Sequence, residues 1–146
     1  MLLGEYHHNI DDKGRLIVPS KLRTELGDSY VICKGMDGNL NMYSQEEWTA
    51  FVAQLEEKLP QMNKQARTLK RFFIGSAVDG KFDKQGRVLV SPALREYAVL
   101  DKEIVLVGVQ DKVEVWDKSL WDERSMVSET DIDLIAEEMA TLNISF

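Results

Sequence analysis

Residues 10–23 read Ile10-Asp11-Asp12-Lys13-Gly14-Arg15-Leu16-Ile17-Val18-Pro19-Ser20-Lys21-Leu22-Arg23, and residues 82–95 read F-D-K-Q-G-R-V-L-V-S-P-A-L-R. The passage occurs twice. Asp11, Gly14, Arg15, Leu22 and Arg23 recur 72 positions on as Asp83, Gly86, Arg87, Leu94 and Arg95. The match then continues at an offset of 73: Val31, Ile32, Gly35, Tyr43 and Trp48 meet Ile104, Val105, Gly108, Trp116 and Trp121. Two copies are too few for a solenoid and imply a pseudo-symmetric pair. Only residues 74–78 join them, so the halves are expected to pack together.

Each copy reads as strand, turn, strand, short helix and hairpin. In copy one, residues 7–10 form a first short strand and residues 11–14 a turn. Asp suits turn entry, and Gly supplies a positive φ at no steric cost. Residues 15–18 return as a strand, Pro19 opens a helix, and Gly27 and Asp28 stop it. The continuous apolar run at 30–33 is a buried strand. A turn at 36–39 leads to a strand at 40–43. Copy two repeats the order, with strands at 80–82, 88–90, 104–107 and 113–116 and a helix from Pro92. Ser44 and Glu47 form a capping box for a helix carrying Trp48, Phe51, Val52 and Leu55 at helical spacing. Pro60 separates it from a second helix at 62–73. An acidic amphipathic helix is expected at 131–142, with Ile132, Ile135, Met139 and Leu142 on one side. The aromatic stripes are read as core.

The fold class is therefore α+β: duplicated hairpin units forming one pseudo-twofold, barrel-like β core with helices packed outside. The expected divisions are residues 5–48 (first repeat), 49–74 (connecting helices), 77–121 (second repeat) and 122–146 (acidic C-terminal helix).

The chain has 146 residues and a formal charge of −7. Residues 1–73 are neutral, and residues 117–146 alone carry eight acids against two bases. Such a balance argues against indiscriminate nucleic-acid binding. Residues 11–23 and 79–95 each nonetheless hold four bases against two acids, so both turn regions are locally positive. No apolar run approaches the roughly 18 residues of a membrane span, and the N-terminus lacks the apolar core of a signal peptide. A lone cysteine, Cys33, in a strand-like run fits a buried thiol and a reducing cytoplasm.

The chemistry concentrates in Asp-x-x-Gly-Arg. Turn geometry accounts for Asp11, Gly14, Asp83 and Gly86. It does not demand an arginine after the glycine. Arg15, crowded by Lys13 and Lys21, is read as exposed and functional, since a hairpin-tip arginine can bind guanine O6/N7 or phosphate in a DNA groove. Two readings of Arg87 stay open: a DNA contact, or an Arg–Asp pair that braces the fold. His7 and His8 are unlike a metal pair, because adjacent strand residues point to opposite faces. No zinc spacing, phosphate-binding loop or nucleophile–base pair is present. No catalysis, cofactor or metal is expected.

Residues 4–23 (G-E-Y-H-H-N-I-D-D-K-G-R-L-I-V-P-S-K-L-R), the second Asp-x-x-Gly-Arg and the two Trp-led helices resemble the bacterial MraZ family over essentially the whole chain. The resemblance implies a transcriptional regulator related to AbrB/SpoVT swapped-hairpin DNA-binding domains. It implies a ring-shaped homo-oligomer, cytoplasmic and nucleoid-associated. It also implies binding to double-stranded DNA at tandem direct repeats upstream of the division and cell-wall gene cluster, usually for repression. By that resemblance the first motif (Asp11, Lys13, Gly14, Arg15) carries the DNA contact, with Arg15 foremost; Lys21 and Arg23 are further expected DNA-binding residues. Copy two departs from the pattern, with Gln85 in place of Lys13 and Ser91-Pro92 inverting Pro19-Ser20. The alternative is a non-enzymatic oligomeric module whose acidic C-terminal helix binds a basic partner.

Overall fold

In the computed structural model, which describes residues 1–125 and 129–145, each copy contributes four strands in the expected order. Copy one comprises β1 (Leu2–Asn9), β2 (Arg15–Ile17), α1 (Ser20–Leu26), β3 (Ser29–Lys34) and β4 (Leu40–Tyr43), followed by α2 (Gln45–Lys58) and α3 (Lys64–Phe73). Copy two comprises β5 (Val78–Lys81), β6 (Arg87–Leu89), α4 (Pro92–Tyr97), β7 (Glu103–Gln110) and β8 (Val113–Asp117), followed by α5 (Lys118–Arg124) and α6 (Glu129–Met139). The expected C-terminal segment includes residues 126–128 and 146, which lie outside the described residues.

The copies exchange strands. β1 does not pair with β2 as a simple hairpin; it runs antiparallel to β7 of the other copy, from Leu2↔Gln110 to Asn9↔Glu103. β5 likewise pairs with β3, and β4 meets β8 at the centre. The result is one antiparallel sheet in the order β1-β7-β8-β4-β3-β5. β2 and β6 leave it and pair with each other as a two-stranded ribbon. Just after β1, an isolated Ile10↔Leu16 bridge and the Asp11 N–H to Arg15 carbonyl bond at 3.0 Å link the chain to β2. The barrel-like core is thus not seen as a closed barrel: among the described residues the ladder ends at β1 and β5. The α+β class and the packing of both copies on one core hold.

Strand bounds differ from expectation where pairing, not pattern, decides them. β1 begins at Leu2 and β7 runs on to Gln110 because each supplies the other's ladder. β5 is Val78–Lys81 rather than 80–82, set by its register on β3. α3 starts at Lys64, where the Asn63 side chain accepts from the Ala66 N–H at 3.0 Å. α6 stops at Met139, and a 3₁₀ turn, Ala140–Leu142, continues it. The Ser44 cap is as expected, its hydroxyl accepting from Glu47 N–H at 3.1 Å.

One apolar core spans both copies. Leu16, Val18 and Leu22 pack with their counterparts Val88, Val90 and Leu94, and with Ile104, Leu106, Val113 and Val115. This main core is shared by the two copies. A second cluster lies on the other side of β3 and β4, where Cys33, Tyr43 and Phe73 pack with Trp48, Phe51 and Phe72 under α2 and α3. Burial pushes the Cys33 thiol up to about 12, so it is a structural thiol at neutral pH.

The ribbon depends on two glycines. Gly14 (φ +87°) and Gly86 (φ +76°) hold a left-handed conformation. The Gly14 carbonyl accepts from Val90 N–H at 2.8 Å, and the Gly86 carbonyl from Val18 N–H at 3.0 Å. A Cβ on Gly14 would collide with the Val90 carbonyl oxygen and lie 2.9 Å from Arg95 Nε. Gly27 also has positive φ (+90°), but a Cβ there would meet nothing within 4 Å. Gly14→Ala is therefore expected to cost about 2–4 kcal/mol in a urea melt, backbone strain plus steric displacement, whereas Gly27→Ala costs only about 1–2. Equal losses would show that close approach at Gly14 contributes nothing.

Candidate nucleic-acid interface

The two Asp-x-x-Gly-Arg turns have one geometry. In copy one, Asp11 Oδ1 accepts from the backbone N–H of Lys13 (3.0 Å) and Arg15 (2.8 Å), while Oδ2 takes Arg15 Nε–H at 2.7 Å. In copy two, Asp83 Oδ1 accepts from Gln85 and Arg87 N–H, both at 2.9 Å, and Oδ2 takes Arg87 Nε–H at 2.7 Å. The expected difference between the arginines, Arg15 exposed and Arg87 open to a bracing pair, is therefore absent: both are paired with their own aspartate. The residue before the glycine contributes only its backbone to this clamp, so Gln85 serves as well as Lys13.

Each aspartate takes Nε–H, and among the described residues the terminal nitrogens of the two guanidiniums make no hydrogen bond. These are the donors that a bidentate contact to guanine or phosphate needs. The arginines are only partly exposed, Arg15 by 37% and Arg87 by 24% of the side chain, which limits their rotamers without sealing them.

Both aspartates titrate below the ordinary carboxylate value. The largest cause is the arginine's backbone N–H; its side chain adds to it, against an opposing desolvation. A lowered folded value gives stability that is complete above the unfolded value of about 3.9 and lost as pH falls through the folded value. The stability difference between the wild type and Asp11→Asn is expected to stay flat from about pH 5 to 8 and to shrink only below about pH 4. A difference that changed near neutrality in urea melts would contradict the clamp.

The ribbon has an inner and an outer face. Leu16 and Val88 are buried beneath it. Alternation places Arg15, Ile17, Arg87 and Leu89 outward, in the cross-strand pairs Arg15↔Leu89 and Ile17↔Arg87. Ile17 and Leu89 are 45% and 57% exposed. Sequence reasoning passed over these two, although the period-2 pattern of Arg-Leu-Ile-Val and Arg-Val-Leu-Val contained the signal. The outer face is thus two arginines and two aliphatics about a pseudo-twofold axis. Lys13 and Lys84 are exposed at its two tips.

Lys21 is exposed on α1. Arg23 is placed differently from the tip residues: its Nε–H donates to the Val18 carbonyl at 2.8 Å, and its guanidinium lies against Gly86 of the other copy. Arg95 mirrors it, donating from Nε to the Val90 carbonyl at 3.1 Å and from Nη1 to the Asp12 carbonyl at 3.4 Å. These two arginines clasp each copy's ribbon strand to the other copy's turn. Elsewhere, His7 pairs with Glu5 Oε2 at 2.8 Å. Among the described residues no helix is long and apolar enough to cross a membrane.

An interleaved pair of repeats, with one outward ribbon bearing an arginine from each, defines a duplicated swapped-strand protein. A family model described as "MraZ protein, putative antitoxin-like" matches it twice, over residues 1–72 and 73–143, and the chain belongs to the MraZ family. Its curated relatives include proteins named Transcriptional regulator MraZ. The one from Thermoanaerobacter pseudethanolicus is 46% identical over 99% of this chain and 100% of its own length. That from Lachnoclostridium phytofermentans is 49% identical over 100% of both chains. That from Ligilactobacillus salivarius is 45% identical over 99% of this chain and 100% of its own.

Proposed function

We propose that this protein is a sequence-specific DNA-binding transcription regulator, a repressor acting in the cytoplasm at the nucleoid without catalysis. It reads tandem direct repeats upstream of the division and cell-wall gene cluster. The β2–β6 ribbon, an AbrB-like swapped-hairpin unit, is the DNA-binding element. The observation that carries this reading is the outward ribbon face, where Asp11 and Asp83 hold Arg15 and Arg87 by Nε and leave their terminal donors without a partner among the described residues. The relatives' names supply the regulatory role.

Arg15 and Arg87 read base edges, Ile17 and Leu89 offer apolar contact to thymine methyls, and Lys13, Lys21 and Lys84 hold phosphates. Arg23 secures the ribbon from behind. One ribbon on a subunit of charge −7 is a weak site, so several ribbons presented by a ring-shaped homo-oligomer supply the affinity through effective concentration. The test is a gel shift and footprint with DNA upstream of this chain's own coding region. A specific protected repeat array is expected. No shift would favour the alternative, a protein-interaction module acting through its acidic C-terminal helix.

A further inference from the structure

The outer face of the ribbon is close to twofold, but its flanks are not. α1 lies beside the turn of copy two, where Arg23 packs against Gly86. A groove of about 680 Å³ runs between α1 and the end of β5, lined by Ser20, Arg23, Thr24 and Lys81, with Asp28 and Asp83 also on its wall. On the opposite flank α4 lies beside the turn of copy one, where Arg95 reaches the Asp12 carbonyl. Counterparts 72 positions apart differ in charge across the axis. Lys21 and Thr24 on α1 answer to Ala93 and Glu96 on α4, and Lys81 at the end of β5 answers to Asn9 at the end of β1. All six are exposed. At the turns, the α1 flank has Lys84 and Gln85 where the α4 flank has Asp12 and Lys13.

The cations of the α1 flank are also the less engaged ones. Lys21, Lys81 and Lys84 make no ion pair among the described residues. The terminal nitrogens of Arg23 make no hydrogen bond among the described residues, whereas Nη1 of Arg95 donates to the Asp12 carbonyl. Glu25, the acid of α1, is taken by the N-terminal ammonium at 2.8 Å. Glu96 of α4 has no such partner among the described residues. A duplex that receives the ribbon in a groove presents a phosphate strand to each flank. The α1 flank attracts its strand, and Asp12 and Glu96 repel the other. A twofold face by itself docks equally well in two opposite directions, so only groups outside it can choose between them.

We propose that the α1 flank grips the DNA backbone on one side of each repeat, with Lys21 and Lys81 as its phosphate contacts, and that this one-sided grip fixes the direction in which each subunit lies on the duplex. Direct repeats need such a direction, because every subunit must meet its repeat the same way round. This rests on the DNA reading above and adds the polarity of each contact.

The test uses in-phase repeat arrays from upstream of this chain's coding region, with neutral methylphosphonate linkages on one flank of every repeat or on the other. The wild type is expected to bind one modified array about tenfold more weakly than the other, because the lost phosphates lie on one side only. Lys21→Ala/Lys81→Ala, whose fold circular dichroism verifies, should bind both arrays alike. Its log–log salt slope should be shallower by about two for each ribbon engaged, since each phosphate contact supplies roughly 0.9. Asn9→Lys/Ala93→Lys builds the missing grip, so neutralising either flank should then weaken binding. A wild type hurt equally by either modification, or a flank preference that survives in Lys21→Ala/Lys81→Ala, would overturn the proposal and leave the DNA reading standing. A wild type that binds no array would overturn both.

Discussion

Replacing Arg15 and Arg87 together by alanine is expected to abolish sequence-specific DNA binding while leaving fold and oligomer mass unchanged. A bidentate arginine–guanine contact discriminates by about 1–3 kcal/mol, so losing two weakens each protomer's binding roughly 30-fold or more. Stability changes little. Each arginine's pair with its aspartate lies at the surface, where solvent screens it, and the turn keeps its bonds from the backbone N–H groups to Asp11 and Asp83. Because the two clamps match, the single variants are expected to lose comparable affinity. Arg15→Lys should keep phosphate attraction and lose discrimination, since an ammonium lacks the planar fork. Anisotropy titrations on cognate and scrambled duplexes measure all of these. Wild-type affinity in the double variant would make the arginines structural.

Much of this was legible because the repeat is local and strong. The paired turns, the Ser44 helix cap, and the apolar runs of β3 and β7 all lie within a few residues of their causes. What escaped was non-local. Asp-x-x-Gly signals a tight turn, but nothing near it says that β1 pairs with β7 or that β2 pairs with β6. β1 lies at the sheet edge and is mostly polar, Gly4-Glu5-Tyr6-His7-His8-Asn9, so its alternation was weak and its start was missed. The sequence reading puts Arg23 among the expected DNA contacts and Arg95 only as its repeat counterpart. Their acceptors are the Val18 and Val90 carbonyls five residues back, and only the crossing of the copies places Gly86 and Gly14 beneath them. The same exchange explains why the two arginines are equivalent, where composition alone suggested a difference between a neutral half and an acidic one.

The second large effect concerns the number and phase of DNA repeats. A single ribbon offers few cations, chiefly Arg15, Arg87, Lys13 and Lys84, on a chain of charge −7. It should bind in the range of non-specific contacts, roughly 10⁻⁴–10⁻⁶ M. Ribbons tethered in one assembly make later contacts intramolecular, a gain of about 10²–10⁴ when geometry allows. Inserting about half a helical turn, roughly 5 base pairs, puts the next repeat on the opposite face of the duplex and removes most of that gain. The salt dependence should steepen with the number of ribbons engaged, because each adds phosphate contacts. The decisive measurement is a titration of the assembled protein against three duplexes of equal length, carrying one repeat, several in-phase repeats, and several repeats shifted by half a turn. The account predicts at least 100-fold tighter binding to the in-phase array than to either of the others. Equal affinity for all three would contradict it.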